Sequence, residues 1–194
     1  MKKLTLILLL AGALAGCNGP SKDSTAKADS TNLTKDSADK KHPASFGQEI
    51  SGDDATFAVK AAAGGLAEVE LGKLAQQKGS TAAIKDFGGM MVKDHSAANA
   101  ELTALAKSKH IVLPLELGDE AVKLKNDLSG KNGIDFDKAY LDAMVKDHKQ
   151  DTTDFVRGIK VTKYPEMTAF AKKTLPVLKM HLATAEKIKS SYEK

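Results

Sequence analysis

Residues 141–159 read LDAMVKDHKQDTTDFVRGI. Counted from His148, Met144 and Leu141 lie four and seven positions back, and Phe155 and Ile159 lie seven and eleven on. A helix stacks residues at these spacings on one face. The segment therefore predicts an amphipathic helix with His148 in the middle of its apolar stripe. The pentapeptide inside it, MVKDH at residues 144–148, occurs a second time at residues 91–95. There the same steps from His95 reach Met91, Gly88, Leu102 and Ala106, with Ile84 eleven back. A related string, VLKMH, ends at His181, which shares a face with Val177, Thr174, Phe170, Ala185 and Ile188. In all three strings a lysine stands two places before the histidine, about 200° round the helix. Lysine marks the wet face and histidine the dry one, so three histidines on three helices face a core. The MVKDH copies sit on the second and third long helices, which a simple duplication of a helical hairpin would not produce.

The surrounding chain supplies the ends of these helices. A first helix is expected from near Asp53, where Asp53 and Asp54 suit a helix N-terminus, to about Lys78. Gly79 breaks the chain, and Ser80 can cap a second helix running to about Lys109. His110 falls at its C-terminal end, where a cation is favoured, and Pro114 follows as a stop. A short helix over about 119–128 leads into the turn SGKNG. A third long helix spans about Asp135 to Val161. A fourth starts at Pro165, a position open to proline, and ends near Ser191, with Pro176 expected to kink it. No run alternates as a strand would. The predicted fold is all-α: an antiparallel four-helix bundle over residues 53–194, with a short extra helix between helices two and three.

In an up-and-down bundle, residues midway along their helices share a layer. His95, His148 and His181 are each 13 to 17 residues into a helix, and the first helix offers Glu68 or Glu70 at that height. Two readings follow. Three neutral imidazoles and a carboxylate form a ligand set suited to zinc or copper. Alternatively, they form a metal-free polar network in which each buried group satisfies the next.

The N-terminus reads MKKLTLILLLAGALAGC: positive, then apolar, then small, as in a secretory signal peptide. The apolar run is shorter than the roughly 20 residues a bilayer span needs. Cys17, the single cysteine, closes LAGC, a string that resembles a bacterial lipobox. Residues 1–16 are expected to be a lipoprotein signal peptide and Cys17 a lipidated anchor. That places the chain in the cell envelope, on the outer membrane in preference, facing the periplasm or the cell surface. Residues 18–52 are rich in Ser, Thr, Lys and Asp and poor in apolar residues. They are expected to be a disordered tether spanning roughly 30 Å, with no role assigned to His42.

The formal net charge is +4, from 29 basic and 25 acidic residues. It falls to +2 without Lys2 and Lys3. No basic cluster is interleaved with aromatics and there is no tryptophan, so nucleic acid is excluded as a partner. The expected partner is the membrane, through the lipid. No serine-nucleophile motif, phosphate-cradling glycine loop or reactive cysteine supports a hydrolase or nucleotide enzyme.

The strings GLAEVELGKLA, FGGMMVKDHSAANAEL, FDKAYLDAMVKDH and LPVLKMHL, in that order, resemble a widespread bacterial family built on a domain of unknown function. Its members are often labelled outer-membrane proteins. The resemblance covers about residues 53–190 and implies a ferritin-like fold. It also implies that Glu68, the first of the glutamate pair, joins His95, His148 and His181 as the recurrent polar positions. It brings no established activity. The Glu-x-x-His pairs of di-iron ferritin-like proteins are absent here, which counts against ferroxidase chemistry and makes an oxidoreductase the least favoured reading. The expected function is a lipid-anchored envelope bundle that binds or buffers a transition metal through Glu68, His95, His148 and His181. The alternative is a structural or stress-protective envelope protein with a metal-free polar core.

Overall fold

The computed structural model of the chain describes residues 23–41 and 52–192, with side chains through residue 35 of the first stretch. The signal peptide, Cys17 and His42 lie outside the described residues. Within them all regular structure is helical: α1 (Ser24–Lys41), α2 (Gly52–Lys78), α3 (Ala82–Ser108), α4 (Asp119–Ser129), α5 (Gly133–Val161) and α6 (Pro165–Ser191). The extents of α2 to α6 follow the apolar periodicity and the Gly and Pro breaks closely. Pro176 is taken inside α6.

The four long helices lie side by side. α2 packs on α3 and α5, and α6 packs on α5 and α3. Short turns make α2–α3 and α5–α6 antiparallel hairpins. Phe57, early in α2, meets Phe155 late in α5, so that pair is antiparallel too. α3 and α5 therefore run in the same direction, and the chain between them must travel the length of the molecule. α4 lies on that path, packed on α2 and α5 with Leu128 buried in the core. The closest helix pair is α2–α3, where Gly72 faces Gly88. A Cβ on Gly72 would stand 2.8 Å from the Gly88 carbonyl oxygen, and one on Gly88 would stand 2.6 Å from that of Gly72. Only glycine permits this approach.

The two hairpins are related, though not by the MVKDH repeat. Buried Asp54 of α2 accepts the backbone N–H groups of Lys163 at 2.8 Å and Tyr164 at 3.2 Å, holding the α5–α6 turn. Buried Asp137 of α5 lies 83 positions later in the sequence. It accepts the N–H of Ser80 at 2.9 Å, and also the Ser80 and Tyr192 hydroxyls, holding the α2–α3 turn. The same spacing carries Phe57 onto Tyr140, Phe87 onto Phe170 and Glu68 onto Asp151. α2–α3 thus maps onto α5–α6, while MVKDH recurs on α3 and α5, which face each other across the core.

Three expectations are corrected. Residues 24–41 are not a structureless tether. α1 docks on α2 with Ala28 and Asn32 buried. Asn32 exchanges two hydrogen bonds with the backbone of Val112, at 2.8 and 2.9 Å. Ser24 donates to the Glu116 carbonyl and Lys35 to that of His110. Composition misses this helix because side chain-to-backbone bonds to a distant loop, more than apolar burial, fasten it. Second, Ser80 does not cap α3; Thr81 does, accepting from the N–H of Ile84, while Ser80 is taken by Asp137. Third, His110 ends α3 through its backbone. At φ 56° it is the left-handed residue of a Schellman turn, in which Ile111 N–H reaches the Ala106 carbonyl and His110 N–H that of Lys107.

Candidate metal centre

The core is two apolar clusters with a polar layer between them. One contains Phe57, Leu102, Phe155, Phe170 and Leu178. The other contains Leu71, Ile84, Phe87, Tyr140 and Met144. On each long helix one polar residue falls between its contributions to the two clusters: Glu68, His95, His148 and His181. All four are buried, none more than 5 % exposed. The open choice between Glu68 and Glu70 is thereby resolved in position. Glu70 points outward to Lys73 at 2.7 Å and to Lys125 of α4 at 2.5 Å.

The ring centres of His95, His148 and His181 stand 5.2 to 5.6 Å apart, and each ring has one nitrogen tied down. His95 Nδ1 lies 2.8 Å from Glu68 Oε2. His148 Nδ1 lies 3.0 Å from the carbonyl of Met144, one turn back. His181 Nε2 lies 3.0 Å from Asp94 Oδ2. The Met144 carbonyl can only accept, and the Glu68 and Asp94 carboxyls accept through an unprotonated oxygen, which assigns the protons to the tied nitrogens. Glu68 Oε1 is 3.3 Å from His148 Nδ1, but that N–H is directed at Met144, and Oε1 is left without a partner.

The other nitrogens then present lone pairs. His95 Nε2 is buried with no partner. His148 Nε2 and His181 Nδ1 face one another at 3.3 Å. In neutral rings a hydrogen bond between them would need a proton that both have already placed elsewhere. Burial pulls the His148 pKa down to about 3 and that of His95 to about 4, and lowers His181 as well. An imidazolium at this spot is therefore disfavoured. One atom from each of the three rings lies within 4.8 Å of the others.

Sequence reasoning read the four residues as one layer and as one candidate ligand set; the layer is present, but the side chains group differently. Among the described residues, the three histidines group together, and Glu68 groups separately with His148 and Asp151. Asp151 and Asp94 went unassigned. Asp94 is the residue before His95 in MVKDH. Asp151, three residues after His148, shares its helix face, and that spacing was the available signal. Asp151 lies beside Glu68, each offering an oxygen within 4.8 Å of the other. Desolvation, then the Glu68 charge, raises its pKa to about 9. Desolvation likewise raises Glu68 to about 8, so the pair holds a proton at neutral pH. Tyr140, one turn below Met144, is fully buried, and its hydroxyl has no partner.

Beside the layer, on the Phe155–Phe170 side, lies a cavity of about 20 Å³. Its polar walls are Glu68, His95, Asn99 and Asp151. Gly65 gives Asn99 its place there: a Cβ at 65 would stand 2.2 Å from the Asn99 side-chain oxygen.

The chain belongs to the family defined by the domain of unknown function DUF4142. The family profile matches residues 39–188, a stretch containing every residue of the layer. No curated protein and no solved structure matches the chain. For this member of the family, what the layer can do must be read from its own geometry, which brings one ring nitrogen of each of three buried histidines within 4.8 Å of the others.

Proposed function

We propose that this chain is a lipid-anchored, metal-binding protein of the cell envelope in which His95, His148 and His181 hold one zinc-type cation. The observation that carries the reading is the pair of lone pairs, His148 Nε2 and His181 Nδ1, opposed at 3.3 Å. Two nitrogens bound to one tetrahedral ion at about 2.0–2.1 Å stand roughly 3.3 Å apart, so a cation between them turns a repulsive contact into ligation. The tied nitrogens fit the same reading. Metal-bound histidines commonly donate their other N–H to a carboxylate or backbone carbonyl, as these three do to Glu68, Met144 and Asp94. On this account Glu68 orients His95 and is not itself a ligand. Neutral nitrogen donors suit zinc(II), with copper(II) next, and a site without an assigned reaction fits binding or buffering of the ion.

The same proposal includes the architecture and the location. Antiparallel hairpins joined by one long crossover are the topology of ferritin-like four-helix bundles, and the α3–α5 connection supports that reading here. The anchor rests on LAGC and Cys17. Docked α1 shortens the leash, since Cys17 to Ser24 can span at most about 25 Å.

Thermal melting of metal-stripped protein tests the binding. Zinc(II) at 100 times its dissociation constant should stabilise the wild type by about 2.7 kcal/mol and leave His148→Ala unmoved. A wild-type melting point indifferent to both zinc and copper would favour the metal-free polar network. Cys17→Ser should move the folded protein to the soluble fraction; retention in the membrane would count against the anchor.

A further inference from the structure

Resting on the metal reading above, we propose that the cavity beside the histidine layer is an open coordination position that takes water or a small monoanion. Structural zinc sites close their shell with four protein ligands, whereas reactive ones hold three and leave the fourth to water or substrate. Here the protein supplies three. The nearest fourth donor is Glu68, and its geometry argues against closure. Its Oε2 is engaged by His95 Nδ1 at 2.8 Å, and although its Oε1 has no partner, that side chain shares a set with His148 and Asp151 and not with all three rings.

The cavity meets the conditions for the missing ligand. His95, whose Nε2 has no partner, lines it. At about 20 Å³ it exceeds the roughly 10–15 Å³ that one water requires. Glu68, Asp151 and Asn99 supply the two to four polar neighbours that a buried water needs. Ala61, Gly65 and Ala98 line the rest. Larger side chains at these positions would fill the space, so small residues keep it open. Its size limits the occupant to a water molecule or an anion of two or three atoms. A metal held by the three imidazoles would supply Lewis acidity to a water in this space, and the Glu68 and Asp151 side chains line it as hydrogen-bond partners for that water.

Cobalt(II) replaces zinc and reports its own coordination through visible absorption bands. The experiment loads metal-free wild type with cobalt(II) and titrates it with azide, alongside Ala98→Leu and Glu68→Gln. The expected result is a saturable band shift with azide in the wild type. Ala98→Leu should keep the bands but weaken the azide response by roughly tenfold or more, because the added side chain overpacks the cavity. Glu68→Gln, which alters the partner of His95, should gain no azide response that the wild type lacks. Bands that appear in the wild type but ignore azide overturn the open position and leave the metal site standing. An azide response that appears only in Glu68→Gln makes Glu68 the fourth ligand and the shell closed. An undiminished azide response in Ala98→Leu places the anion elsewhere and overturns the assignment of the cavity. Absence of cobalt bands overturns the metal reading itself.

Discussion

The α2–α3 and α5–α6 hairpins agree at their turns and differ in the middle. Each holds the other's turn with a buried aspartate, Asp54 in one and Asp137 in the other. Each also sets an aromatic on its second helix 33 positions after that aspartate, Phe87 after Asp54 and Phe170 after Asp137. In the central layer the carboxyls still match, Glu68 with Asp151, but the histidines do not. The first hairpin offers Glu68 and His95, the second Asp151, His148 and His181. At the 83-residue spacing His148 falls on Gly65, His181 on Ala98, and His95 on Leu178. Helix pairing needs the ends, and both hairpins keep them. No packing rule asks for three imidazoles in the middle, where desolvation must be offset by specific partners. Agreement where packing rules and asymmetry where chemistry is concentrated is what a binding site grafted onto a paired scaffold would leave.

The comparison can be tested first through pH, where the middle layer should dominate. Between pH 6.5 and about 4 the unfolded chain protonates three histidines that the folded chain keeps neutral, to about 4 at His95 and about 3 at His148. Stability is therefore lost as pH falls through that range. The carboxyl pair has the opposite sign. Glu68 and Asp151 keep protons to about 8 and 9, so what they contribute is present at low pH and is lost as pH rises toward 8 and 9. Urea midpoints of the metal-free protein should peak near pH 6.5 and decline on both sides, at about 1.4 kcal/mol per pH unit for each uncompensated group. A flat profile would mean that the layer is not buried as described.

The turn aspartates come next. Asp54→Ala strands two backbone N–H groups, and Asp137→Ala strands the Ser80 N–H and hydroxyl and leaves the Tyr192 hydroxyl with Thr81 alone. Each should cost about 2–4 kcal/mol in urea unfolding, with zinc binding retained. If either variant abolished metal binding while remaining folded, the division between scaffold ends and functional middle would fail. The smallest effect is expected for Tyr140→Phe, which makes that position match Phe57. A buried hydroxyl without a partner contributes nothing, so the change should be neutral or stabilising by up to about 1 kcal/mol. A loss above 1 kcal/mol would show that the hydroxyl belongs to the layer's network, and would extend the site one turn down α5.

Much of this was legible in the residues. The 3.6-residue period places α2 to α6, because each buries one face, and Gly79, Pro114 and Pro165 mark the breaks. His95, His148 and His181 were legible as core residues for the same reason. Local signals could not reveal what depends on partners from other helices. Which nitrogen each ring presents is decided by Glu68, Met144 and Asp94, two of them on other elements from the ring they orient. The Asp54 and Asp137 clamps join residues 57 to 110 apart. α1 was missed because its polar composition hides Asn32, whose partner is Val112, 80 residues on.

The central claim is that three imidazoles, through the nitrogens not tied to Glu68, Met144 and Asp94, converge on one cation. X-ray absorption at the zinc edge of the loaded protein measures this directly. The account predicts three imidazole nitrogens at about 2.0–2.1 Å plus one further light atom, with the outer-ring scattering of histidine, and one imidazole fewer in His181→Ala. A shell of oxygens without imidazole scattering, or a wild-type spectrum unchanged in His181→Ala, would contradict it.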